Sequence, residues 1–415
     1  MHRFRSDFLN ELASRGYIHQ ISEPEELDAL FCRGRVTAYV GFDCTADSLH
    51  VGHLVSIMML RILERTGHRP IALVGGGTTK VGDPSGRDET RQLLTDAQIE
   101  HNKAGLLRSL SKFLDFEKGS ALLLDNAEWL DKLEYIPFLR EVGVHFTVNR
   151  MLTFESVKSR LEREQPLTFL EFNYMIMQAY DFLQLARRYD CRLQMGGSDQ
   201  WGNIVNGIEL ARKLDGRHLF ALTTPLITTA SGQKMGKTAA GAVWLNAERL
   251  PPFEYFQFWR NTEDDDVGRF LRLFTELPLS EIERLERLRG AELNEAKKIL
   301  AFEATALCHG RAAAEKARAA AEAVFEHKGQ ALEGLPVVPV DRTRLAEGMP
   351  IIELFHLAGL CQSHSEARRL VRQGGARLDD RPIEDETMRV DLDTFKAGAV
   401  KLSAGKKRHV LVRPV

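Results

Sequence analysis

The stretch "YVGFDCTADSLHVGHLV", residues 39–55, decides how the rest of the chain is read. It passes from a β-branched and aromatic run into a helical apolar pattern, and it sets two histidines, His50 and His53, at the junction. Gly41 permits close approach at the strand end, and Asp43, Thr45, Asp47 and Ser48 offer caps for the helix that follows. The two histidines would share one side of a first helical turn, where unpaired backbone N–H groups and the positive end of the helix dipole attract anions. Two chemistries compete with a bland reading here: imidazole donors to a phosphate, metal ligation, or polar residues that merely start a helix. A zinc site needs a third ligand nearby and none is evident, so no metal is assigned.

Strand and helix patterns alternate around this junction. "VTAYVGF", "PIALVGG", "ALLLDN", "CRLQM" and "LTTPLIT" are strand candidates, and helical patterns over 51–65, 91–114, 168–187 and 199–214 lie between them. Such alternation predicts an α/β fold whose parallel sheet is covered by helices on both faces and binds ligands at the carboxyl ends of its strands. The 415 residues exceed one ordinary domain. Residues 1–250 are assigned to the sheet domain. Over 251–330 strand signals vanish and alanine-rich runs predict a helical subdomain. Residues 331–348 carry prolines and little periodicity, which reads as a linker, and a small terminal domain spans 349–415.

The formal charge of −2 marks no nucleic-acid binder, but 349–415 holds 12 Lys and Arg against 9 Asp and Glu, so charge is segregated. Within it "SHSEARRLVRQGG" puts Arg368, Arg369 and Arg372 on one helix that ends at Gly374 and Gly375. Cysteines at 32, 44, 191, 308 and 361 form no CxxC pair, which fits a reducing compartment and places the protein in the cytoplasm. The amino-terminal run "MHRFRSDFLNELASRG" holds Asp7 and Glu11 and reads as a surface helix, not a signal sequence, and no run approaches the length of a membrane span.

Downstream, "TTASGQKMGKTAAG" flanks Met235 and Gly236 with Lys234 and Lys237, and Thr238 follows. Alone it is a solvated surface loop, yet a flexible loop with two ammonium groups also suits a polyphosphate whose leaving group gains charge. "GGGTTKVGDPSGRDETR" lacks the ending of a P-loop, so Lys80, Arg87 and Arg91 either assist a pyrophosphate or face solvent. Tyr174, Gln178 and Asp181 fall at i, i+4 and i+7 on one face of a mainly apolar helix, either lining a pocket or facing solvent.

"YVGFDCTADSLHVGH", "GDPSGR", "YMIMQAYDF", "GGSDQWGN" and "KMGKT", in this order, resemble the bacterial tyrosyl-tRNA synthetases, members of class I, and the resemblance covers nearly the whole chain. HVGH stands where the class motif has Ile, KMGKT where it has Ser, Cys44 where proline is often found, and Arg87 where lysine is common. The resemblance implies a Rossmann-like catalytic domain, a helical subdomain at the anticodon region and a small α+β RNA-binding domain. It implies tyrosine activation with ATP, Mg2+ arriving with the nucleotide, and transfer to tRNA(Tyr). Tyr39 and Asp181 would meet the phenolic hydroxyl, and Tyr174, Gln178 and Asp83 the ammonium group. Gln200 and Asp43 would lie near the amino acid, and Gly41, Gly197 and Asp199 would cradle the nucleoside. Thr45, His50 and His53 would stabilise charge at the phosphates, while Lys234, Lys237 and Thr238 would clamp pyrophosphate. Arg368, Arg369 and Arg372 would contact tRNA phosphates, and the chain would form a homodimer. The competing expectations are an RNA-binding protein without catalysis and a synthetase of the same class that selects tryptophan.

Overall fold

The structure, a computed structural model, describes residues 4–84, 93–232, 235–238, 241–325, 335–346, 348–395, 398–405 and 408–415. Its main sheet contains β1 (Gln20–Ile21), β2 (Thr37–Asp43), β3 (Arg69–Gly75), β4 (Leu122–Asp125), β5 (Cys191–Gly197) and β6 (Phe220–Thr224). The spatial order is β1-β6-β5-β2-β3-β4, parallel throughout except that β1 joins β6 antiparallel at one edge. The inner strands are apolar nearly without a break because helices cover both faces. Tyr39, Ile71, Leu73, Cys191 and Ala221 form one buried cluster with the helices Tyr174–Tyr189 and Trp201–Asp215, while the helix Leu54–Arg65 packs on β2 and β3. The last strand is displaced from its expected 222–228 to Phe220–Thr224, since Pro225 has no N–H to give the ladder.

From β2 the chain adds β3 and β4 on one side, then crosses back to add β5 and β6 on the other. The reversal lies between β2 and β5, whose carboxyl ends are Asp43 and Gly197. Connections leaving such a pair diverge, which opens a crevice for a ligand.

The loop leaving β2 is held by the helix Asp96–Leu110. Asn102 Nδ2 donates to the carbonyl of Cys44 at 2.8 Å, and Ser109 Oγ accepts the Leu49 N–H at 3.1 Å. Asn246 Nδ2 donates to the carbonyls of Gly105 at 3.0 Å and Asp47 at 3.3 Å, which ties helix to loop. At Gly105 the two backbones touch, since a Cβ there would lie 1.9 Å from the Asp47 carbonyl oxygen.

The chain divides into two compact units, Met1–Arg249 with Glu263–Leu288, and Leu250–Thr262 with Arg289–Val415. The stretch read as one helical subdomain is therefore shared between them. The helices Val267–Phe274 and Leu279–Glu286 belong to the first unit, where the Arg15 guanidinium donates to the carbonyls of Thr275 at 3.0 Å and Leu277 at 2.9 Å. Helix propensity carries no information about which core a helix joins.

In the second unit the helices Pro252–Arg260, Leu293–His309 and Arg311–Phe325 pack together. Residues 335–415 build a five-stranded sheet with the paired helices Ile351–Leu357 and His364–Arg372. Its edge strand, Val337–Val340, runs parallel to Arg408–Pro414, so part of the expected linker is structure. Pro339 is tolerated there because an edge strand leaves one side without ladder partners. Among the described residues no helix is long and apolar enough to cross a membrane.

Gly105→Ala must push the helix off the loop. Its thermal unfolding should show a loss of about 1–3 kcal/mol, and an unchanged melting temperature would contradict the backbone contact.

Candidate active site

None of Asp43, Thr45, Asp47 or Ser48 caps the histidine turn. His50 does so itself: its Nδ1 accepts the Gly52 N–H at 3.0 Å, and His53 Nδ1 accepts the His50 N–H at 3.3 Å, with the rings 4.1 Å apart. Asp47 instead pairs with Arg249 at 2.9 Å, Ser48 Oγ donates to the Leu49 carbonyl at 2.8 Å, and Thr45 is exposed. A ring nitrogen that accepts carries no proton, so each neutral imidazole holds its proton on Nε2. Desolvation and the neighbouring His50 ring keep the His53 pKa well below the usual histidine range.

The second motif meets the first. Lys234, Arg87 and Arg91 lie outside the described residues, as do the side chains of Lys237 and Thr238. The backbone of Met235 and Gly236 is described, and it lies against the histidine turn. Val51 N donates to the Val243 carbonyl at 2.9 Å, Leu245 N to the Leu49 carbonyl at 2.9 Å, and Val243 N to the Gly236 carbonyl at 3.0 Å. Gly236 has φ +87°, and a Cβ there would lie 2.6 Å from Gly52 N. Only glycine permits both that conformation and that approach.

The helix Tyr174–Tyr189 turns its polar face inward. Tyr174 and Asp181 are buried and Gln178 is half-buried, which removes the solvent-facing alternative. Asp181 is 3% exposed, and its two oxygens accept from Trp129 Nε1 at 2.7 Å and Asn126 Nδ2 at 2.9 Å. Burial pushes its pKa up to about 7; these donors oppose the rise, and the charges of Asp43 and Asp125 add to it. The Tyr39 hydroxyl is buried with no hydrogen-bond partner among the described residues, and burial and the Asp181 charge raise its pKa well above the usual range. Such an orphaned donor is uncommon in a protein interior.

A second polar cluster adjoins the carboxyl ends of β2 and β5. The Tyr174 hydroxyl donates to Asp43 Oδ2 at 3.1 Å, and Gln178 Nε2 to Gln200 Oε1 at 3.2 Å. Gln200 Nε2 reaches Asp83 Oδ2 at 3.2 Å and Asp199 Oδ2 at 3.3 Å, and Asn203 Nδ2 donates to Gln178 Oε1 at 3.0 Å. Asp199 is exposed beside Gly197, where a Cβ would lie 2.5 Å from its carboxylate. A Cβ on Gly41 would meet nothing within 4 Å.

Sequence reasoning missed Thr78, Asn126, Trp129 and Asn203. Asn126 ends the strand candidate "ALLLDN", and its place at a strand's carboxyl end was the available signal. Lys80 is partly exposed and pairs with Asp131 at 2.8 Å and Asp96 at 3.5 Å. Cys44 is buried and its thiol is pushed up to about 12 by burial and the Asp43 charge, which makes it inert. In the terminal domain Arg368, Arg369 and Arg372 are all exposed, and Arg372 also forms a two-pronged pair with Glu386 at 2.8 and 2.9 Å.

A carboxyl this deeply buried has a direct spectroscopic signature. Carbon-13 spectra of the ligand-free protein should show one aspartate carboxyl titrating near pH 7, absent from Asp181→Asn. Titration of every aspartate below pH 5 would refute the assigned environment.

Residues 33–326 match the family model described as tRNA synthetases class I (W and Y). The chain is 62% identical to the tyrosine–tRNA ligase of Xanthobacter autotrophicus, over 99% of both chains, and 60% identical to that of Rhodopseudomonas palustris, over 100% of both. Among solved structures it is similar to the C-terminally truncated mitochondrial tyrosyl-tRNA synthetase of Aspergillus nidulans, at 31% identity and TM-score 0.70, covering 77% of this chain and 95% of that one.

Proposed function

The chain belongs to the class I tRNA synthetases of the tryptophan and tyrosine type, and from that premise we propose that it activates L-tyrosine with ATP and transfers it to tRNA(Tyr). A tyrosine carboxylate oxygen bonds to the α-phosphorus, the bond to the bridging oxygen breaks, and pyrophosphate leaves. A hydroxyl of the terminal adenosine of tRNA then attacks the carbonyl carbon of the adenylate, and AMP leaves. No enzyme nucleophile takes part, so catalysis rests on positioning and on stabilising charge.

The observation that carries this reading is the unpartnered Tyr39 hydroxyl beside the buried carboxyl of Asp181. A phenol that donates to Asp181 and accepts from Tyr39 satisfies both groups, and phenylalanine leaves them unpaired away from water. Tyr174, Gln178 and Asp83 hold the ammonium group, with Gln200 and Asp43 beside the carboxyl end. Gly41 and Gly197 admit the nucleoside, and Asp199 takes its ribose hydroxyls. The Nε2 protons of His50 and His53, with Thr45, face the phosphates; Lys234, Lys237 and Thr238 clamp pyrophosphate. Each such contact contributes about 2–4 kcal/mol where it tightens in the transition state. Magnesium enters on the phosphate oxygens and keeps most of its waters, so it needs no protein cage.

Arg368 and Arg369 contact tRNA phosphates, an attraction that weakens with salt. Arg372 orients this helix through Glu386. The protein works in the cytoplasm as a homodimer. Exposed large apolar side chains concentrate between residues 135 and 170, among them Tyr135, Val144, Val148 and Phe169, as on a surface that a second copy covers.

Tyrosine-dependent ATP–pyrophosphate exchange tests the reading. The protein should exchange with tyrosine in strong preference to tryptophan and phenylalanine, and His50→Ala or Lys234→Ala should slow exchange by about 10²-fold. Below pH 7 the KM for tyrosine should rise, because a protonated Asp181 no longer accepts the phenol proton. A folded protein without exchange would instead be an RNA-binding protein, and a preference for tryptophan would overturn the pocket assignment. Separately, Phe169→Asp should sediment as a monomer at concentrations where the parent is a dimer; an unshifted dimer would place the interface elsewhere.

A further inference from the structure

One hydrogen-bonded path joins the two carboxylates of the pocket. Asn126 Nδ2 donates to Asp181 Oδ2 at 2.9 Å and to Thr78 Oγ1 at 3.0 Å. Thr78 Oγ1 donates to Asp43 Oδ1 at 2.8 Å, and Asp43 Oδ2 receives the Tyr174 hydroxyl. The direction of every link is determined. Asn126 Oδ1 accepts from the N–H groups of Gly77 at 2.8 Å and Thr78 at 3.4 Å, so a flipped amide would set donors against donors. Both protons of its nitrogen are thereby committed, which leaves the single hydroxyl proton of Thr78 to Asp43. Asn126 and Thr78 are both buried, and Gly75 presses on the joint: a Cβ there would lie 2.3 Å from Asp43 Oδ1 and 2.5 Å from Thr78 Oγ1.

We propose that Thr78 is a positioning residue that couples recognition of the phenol end of the amino acid at Asp181 to the placement of Asp43 beside its carboxyl end. The proposal rests on reading Asp181 as the phenol acceptor. A phenol proton delivered to Asp181 redistributes charge on that carboxylate, and in a buried path each hydrogen bond polarises the next. The Asn126 amide feels the change at one proton and passes it through the other to Thr78, whose hydroxyl sets the rotation of Asp43. Recognition of the hydroxyl therefore enters turnover as well as affinity. Valine at position 78 matches threonine in shape but removes the link, leaving one Asn126 proton and one Asp43 oxygen without that partner.

The experiment compares Thr78→Val, Thr78→Ser and Asp181→Asn in the full chain, measuring kcat and KM for tyrosine and for phenylalanine in pyrophosphate exchange. Thr78→Val should lower kcat with tyrosine by about 10-fold or more, change its KM by less than about 3-fold, and shrink the tyrosine-to-phenylalanine ratio of kcat/KM. Thr78→Ser, which keeps the hydroxyl, should stay within about 3-fold of the parent. Valine and serine variants that behave alike, both active or both impaired, would reduce Thr78 to packing and overturn the coupling. An unchanged tyrosine-to-phenylalanine ratio in Asp181→Asn would overturn the phenol reading itself, which separates the two failures.

Discussion

Two backbones touch where Gly236 meets Gly52, and the geometry of the site follows from that contact. A side chain at position 236 would force the later strand off the histidine turn, and the hydrogen bonds from Val51 and Leu245 would go with it. With the contact in place, the backbone of Met235 and Gly236 runs beside the amino end of a helix. That is where unpaired N–H groups and the helix dipole already favour negative charge. The histidines add to the same field. Each uses Nδ1 to satisfy a backbone N–H of the short turn, and so each keeps its proton on Nε2.

The buried polar cluster around Asp181 is organised by the opposite problem, a charge that burial disfavours. Asp181 lies among apolar helix residues, which disfavour its charge, while the donors of Asn126 and Trp129 favour it. The balance pushes its pKa up to about 7. The Tyr39 hydroxyl has no hydrogen-bond partner among the described residues, a deficit of roughly 1–3 kcal/mol. On the proposed reading a bound phenol removes that deficit, and selectivity follows from it.

The sheet was legible because buried parallel strands need unbroken apolar runs, and "VTAYVGF" and "PIALVGG" are such runs. The i, i+4, i+7 spacing of Tyr174, Gln178 and Asp181 was legible as one face of a helix. Spacing does not say which way a face points, and the packing of that helix on β5 turned it inward. Asn126 stood at a strand's carboxyl end, but nothing in the sequence paired it with Thr78; the two meet only because β4 lies beside β3. The same holds for Val337–Val340, whose prolines suggested a linker and whose partner strand lies at the far end of the chain. Spacing put Arg372 on one helix with Arg368 and Arg369 but did not show Glu386, which the fold brings to it.

Local chemistry is written along the chain: where a strand must end, where a helix dipole opens, which residues bear imidazole, carboxyl or ammonium. Those features, with the order of the five motifs, determined the fold class and the family from sequence alone. The tertiary structure alone decided which nitrogen of each histidine holds a proton, how far Asp181 is pushed toward neutrality, and that Tyr39 lacks a partner. These are properties of distance and solvent exclusion between remote segments, and one-dimensional spacing records neither.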